Sequence, residues 1–274
     1  MSNHSIQHHG AGMFEGSAVW HPWDWMISFF LAVLILLYWT AAAVSNRRHR
    51  KWPAHRYVCW IAGLTCIGLS LAGPVARLAP ANFPVHMLGH LLLGMLGPLL
   101  IAFSAPMALL LRSIPVPFAR RISRLLRSKP VHFIAHPLVA ALLNIGGLWI
   151  LYASGLFIAM HHSFILHLAV HFHVFATGFL FTVSLIYVDV VPYRRSFRIR
   201  AFILIIAMAG HGILSKYLYA HPPDGVPSEQ AKLGGMLMYY GGDAVDLILV
   251  LWLCMQWYKS SRPRSAASLQ PISD

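Results

Sequence analysis

Seven apolar runs, at about 25–44, 57–76, 85–111, 133–153, 163–188, 199–219 and 234–258, constrain this chain more than any other feature. Each is long enough to cross a bilayer as a helix, and in lipid only helices and closed barrels satisfy every backbone group. No strand pattern competes with them. Composition agrees: 58% of the 274 residues are apolar and only 11% are charged, too few charges to coat a soluble domain and too little polarity for a disordered chain. The sequence therefore predicts an all-α polytopic membrane protein. A bundle of seven transmembrane helices occupies 25–258, between a histidine-containing tail at 1–24 and a second tail at 259–274. Pro98 and Pro106 in the third run predict a kink or tilt there. Residues 1–24 hold no Lys or Arg, so the basic start of a cleavable signal is missing.

In a soluble protein a formal net charge of +13 would point to nucleic acid. Here the cations sit in connections. Eighteen Lys and Arg fall in the 1–2, 3–4 and 5–6 connections and after the last run, against three (Arg77, Lys216, Lys232) on the other side. By the positive-inside rule the C-terminus is cytoplasmic and the N-terminus outside. The expected location is a bacterial cytoplasmic membrane, with the lipid bilayer as a partner and no nucleic acid. The stretch 116–129 is basic and partly apolar, and is expected along the cytoplasmic surface. Cys59, Cys66 and Cys254 form no CxxC motif and read as small buried hydrophobes.

Of seventeen histidines, thirteen belong to the outer side or an outer half-helix. His86 and His90 open the third helix, His167 and His171 the fifth. His211 lies in the sixth and Asp243 in the seventh. At 1.5 Å per residue, His90 is roughly 7 Å inside its helix and His171 and His211 roughly 12 Å. Asp243 is at similar depth, and Asp246 a turn deeper. His86 to His90 and His167 to His171 are both HxxxH pairs, so each places two imidazoles on one helix face. Together they offer up to four imidazoles to one or two metal ions, while His173 points away. Intramembrane ionisable groups are costly and rarely cluster without a function. Met87, Met95, Met160, Met208, Met236 and Met238 lie near the same layer and favour copper, as Cu(I). No HExxH offers zinc hydrolysis, and no nucleophile–base constellation predicts an enzyme. His132 and His136 repeat the spacing at the basic boundary, where an interfacial role is the simpler reading. His4, His8, His9 and His21 could collect copper from outside.

The stretch 86–106, HMLGHLLLGMLGPLLIAFSAP, resembles the third-helix signature of a seven-helix family of cytochrome c oxidase assembly factors. HFHVFATGFLF (171–181) with Asp189 and Pro192 is similar to its fifth-helix motif. His211 stands where the family has a sixth-helix histidine, and EQAKLGGMLMYYGGD (229–243) resembles its entry to the last helix. Leu99 stands where the family often has a second proline, and Val190 and Val191 separate Asp189 from the proline that commonly follows it. The resemblance implies maturation of the copper centre of a haem-copper oxidase. Its partners would then be an oxidase subunit and an extracytoplasmic copper donor. On this reading His86, His90, His167, His171 and His211 hold the ion, and Asp243 orients a histidine or balances charge. The alternatives are a b-type haem electron-transfer protein, with bis-histidine ligation between helices 3 and 5, and a histidine-relay transporter. Against the transporter, the inner half-helices show no continuing polar path.

Overall fold

In a computed structural model, residues 22–191 and 193–261 are described. His4, His8, His9 and His21, with the copper-collecting role expected of them, lie outside the described residues.

Every described element is helical. The first span is α1 (Pro22–Arg48), and the second joins α2 (Ala54–Leu71) to α3 (Gly73–Leu78). The third span runs from Phe83 to Ser113 in four pieces: α4 (Phe83–Leu91), a π segment (Leu92–Leu96), α5 (Gly97–Ser104) and α6 (Pro106–Ser113). Two short helices follow, α7 (Val116–Leu126) and α8 (Lys129–Ile134). Then come α9 (Pro137–Ala153) and α10 (Leu156–His162), bent by 78° at the intervening break. Three long helices complete the bundle: α11 (Phe164–Leu185), α12 (Phe197–Ala220) and α13 (Ser228–Ser261). Among the described residues six helices are long and apolar enough to cross a membrane, seven if α9 and α10 make one span. All seven sequence runs fall on these elements, because a bilayer requires unbroken apolar stretches and such stretches are visible in the sequence.

The expected kink in the third span has two separate causes. Pro98 has no N–H, so the carbonyl of Gly94 loses its helical donor. The chain takes up an extra residue just before it, and Gly97 N–H donates to Leu92 O. The second break is Ala105, whose φ of 50° is left-handed. Pro106 then starts α6 with no cap of its own. Asp189, just past the end of α11, fills that role: its carboxylate accepts from Met107 N at 2.8 Å and from Ala108 N at 2.7 Å. It also accepts from its neighbour Val190 N. Burial raises this carboxyl above its ordinary range, against the pull of the three N–H donors.

α12 packs along α13, α4 along α13, α2 along α5, and α9 along α11. Aliphatic and aromatic side chains fill the seams, Leu99, Leu185 and Leu249 at one level and Met87, Leu214 and Met238 at another. Large apolar residues face outward, Phe29 at 72% exposure and Ile165 at 79%. A bilayer solvates such a surface and water does not. Cys66 is buried and Cys59 half-buried, but Cys254 is exposed on α13. The expectation of burial fails for Cys254 because its side of α13 forms part of that outward face.

α7 has no buried residue, in keeping with a helix lying along a surface rather than crossing the bundle. The alternation of spans gathers the starts of α4, α11 and α13, the end of α12, and α10 at one end of the bundle. α7 and α8 lie at the other. Phe83 N–H donates to Gln230 Oε1 at 2.9 Å and ties two of those starts together.

Candidate metal centre

α4 places His86 and His90 one turn apart, and both are buried, at 9% and 7% exposure. Both rings border Tyr152 of α9, with centroids 6.2 and 6.4 Å from it. The Tyr152 hydroxyl is 3.1 Å from His86 Nε2. His161 of α10 comes up beside His86, 6.4 Å between centroids. His161 itself is exposed, and its Nδ1 is fixed 2.7 Å from Phe157 O.

On α11 the rings of His167 and His171 stack 4.1 Å apart, as the HxxxH spacing allows. Both are half-buried, and His171 Nδ1 is held 2.9 Å from His167 O. This bond leaves Nε2 of His171 free to ligate. His167 and His171 are within electrostatic range of His86. His173 turns the other way, its Nε2 3.2 Å from Leu143 O of α9.

His211 of α12 is 3% exposed and lies nearly parallel to His90, 6.3 Å between centroids. His90 Nε2 and His211 Nε2 are buried without a hydrogen-bond partner. A glycine makes room for the His211 ring: a Cβ on Gly242 would collide with it, whereas one on Gly94 would run into Val174 and only touch His90. His90 and His211 line one cavity of about 20 Å³, enough for a single water-sized guest. Its wall also carries Asn144, Thr182 and Asp246. The polar lining therefore reaches below the histidine layer, further than the sequence suggested.

The expected residues thus form a chain of imidazoles rather than one cluster. His167 and His171 are a pair, His86 borders His161 and Tyr152, and His90 faces His211. Among the described residues no three His, Cys, Asp or Glu side chains converge to hold a metal ion. Asp243 is half-buried and near Asp246. Asp246, 4% exposed, is the acid in the cavity wall. Sequence reasoning passed over Tyr152 and His161 as site residues. The Ser154-Gly155 break ahead of His161 was the available signal for the bend; a tyrosine in an apolar run carries none.

Residues 36–260 match the family described as cytochrome c oxidase caa3 assembly factor. An uncharacterised protein of Mycobacterium bovis and one of Mycobacterium tuberculosis are each 32% identical over 205 residues, 70% of this chain and 30% of theirs. An uncharacterised protein of Mycobacterium leprae is 28% identical over 190 residues, 66% of this chain and 28% of its own. The chain thus spans under a third of the length of these curated relatives. No solved structure matches it.

Proposed function

The chain belongs to the cytochrome c oxidase caa3 assembly factor family, and from that membership we propose that it supports copper insertion into an oxidase subunit, with Cu(I) as cargo. The observation that carries this reading is the facing pair His90 and His211. A buried polar atom left unpaired costs about 1–3 kcal/mol; here the two residues that carry such nitrogens line one small cavity, and a single cation bound by both would satisfy them. The two rings lie 6.3 Å apart between centroids, close enough that both residues can serve one ion. Neutral imidazoles suit copper, and the thioethers of Met87, Met160 and Met238 in the adjoining core suit Cu(I). His167, His171, His161 and His86 would pass the ion inward by ligand exchange from an extracytoplasmic donor. Asp243 and Asp246 would balance its charge. A carrier gains from holding its ion with few ligands, because each must be released at delivery.

The test is metal analysis of detergent-purified protein loaded with Cu(I). The wild type is expected to hold stoichiometric copper. His90→Ala with His211→Ala is expected to keep less than about a tenth of it, given the loss of both facing ligands. His132→Ala with His136→Ala should keep it all. Equal retention by both double variants would reject the site. A Soret band in the purified protein would favour the haem reading.

The same reading requires the histidine end to face outward. With the N-terminus out and the C-terminus in a bacterial cytoplasm, a reporter active only outside the membrane should work after Ala81 or His161. It should fail after Arg124 or Ser260. Activity at Arg124 reverses the orientation.

A further inference from the structure

At the end of the bundle away from the histidines, a groove of about 810 Å³ opens between the end of α6, α7 and the start of α8. Four cations line it, Arg120, Arg124, Arg127 and Lys129, together with the hydroxyls of Ser123 and Ser128. The rest of the lining is aliphatic. Residues 120, 123, 124 and 127 recur at helical spacing, so one face of α7 turns its charge into the groove. The other side of α7 exposes Phe118 and Leu125, 57% and 64% accessible.

The protein supplies no counter-charge. The sequence has no Asp or Glu between Asp24 and Asp189, and the Asp189 carboxylate is occupied by the backbone of α6. Among the described residues none of the four cations has a hydrogen-bond or ion-pair partner for its side chain. The groove also lies where one candidate span ends and the next begins, at the edge of the bilayer. A soluble anion would neutralise the cations but leave the aliphatic lining and the outer side of α7 uncovered. We infer that this groove binds an anionic phospholipid. The phosphate is held by Arg120, Arg124, Arg127 and Lys129, and the first methylenes lie along the aliphatic lining. Basic pockets at the ends of transmembrane helices bind lipid headgroups in this way, and an in-plane amphipathic helix gains from both kinds of contact.

The experiment is native mass spectrometry of the full chain, released from mixed micelles of phosphatidylglycerol and phosphatidylcholine. The wild type is expected to retain phosphatidylglycerol over phosphatidylcholine. Arg120→Gln, Arg124→Gln and Arg127→Gln together preserve helix propensity and should weaken that retention at least about tenfold. Arg47→Gln, Arg48→Gln and Arg50→Gln, which remove equal charge elsewhere, should not. If the triple variant does not fold, Arg124→Gln with Arg127→Gln, both exposed, reads the same loss. Equal retention of the two lipids overturns the proposal, as does equal loss in the control variant. Complete displacement by excess inorganic phosphate would make the groove a free-anion site and overturn it too. So would a tightly bound acidic polypeptide in place of lipid.

Discussion

Replacing Gly178 by alanine is expected to be among the most damaging single changes available to this protein. A Cβ there would run into the carbonyl oxygen of Gly94, with Gly94 C 2.9 Å away. Both partners are backbone, so no side chain can turn aside. α11 and the π segment would have to separate, at a cost of about 3 kcal/mol or more. That contact helps hold His167 and His171 beside His86 and His90, so both stability and any function of the layer should suffer. The check is thermal unfolding in detergent beside Gly147→Ala. The nearest atoms to the Cβ of that variant all belong to the ring of His173, which is exposed and can move. Gly178→Ala should lower the midpoint well below that of Gly147→Ala. Equal midpoints would mean that the close helix approach is not needed.

The second large effect is expected in cells. Deleting this protein should leave the oxidase polypeptide in the membrane with its haem but short of copper, with activity down about tenfold or more under copper limitation. The reasoning is mass action: without a carrier, occupancy of the oxidase site follows the free concentration of the ion. Added external copper should therefore restore part of the activity. A plasmid copy with His132→Ala and His136→Ala should restore it fully, and one with His90→Ala and His211→Ala should not. The depth of the histidines supports the prediction. An ion held by imidazoles throughout its transfer is never a lone charge in the hydrocarbon, where one is costly. Fully metallated, active oxidase in the deletion strain at low copper would reject the assembly role.

The helical class and the spans were legible because the bilayer allows few solutions. A run such as 199–219 could only be a helix, and it became Phe197–Ala220. The shared face within one helix was equally legible from the spacing of His167 and His171, although the same spacing at His86 and His90 brings no ring stacking. Pairing between helices was not. Depth along a helix follows from counting, but rotation about its axis depends on packing. Asp243 and Asp246 differ by less than one turn, and only the neighbours decide which of them reaches the cavity. The partner of His90 had the same problem. Its match with His211 depends on Gly242, where a side chain would collide with the His211 ring. Cys254 failed for a related reason, since an apolar residue in a membrane helix is as stable against lipid as against protein. The role of Asp189 was hidden because its partners in α6 are backbone N–H groups 82 and 81 residues away in sequence.

The π segment at Leu92–Leu96 separates two design problems. An uninterrupted helix fixes the azimuth of every residue from that of any one, at about 100° per residue. One surplus residue in a turn breaks that link. The face that aims His86 and His90 is then set independently of the face that packs α5 against α2. Each half of the third span can be tuned for its own neighbours, and selection on the histidines need not disturb the core beneath them.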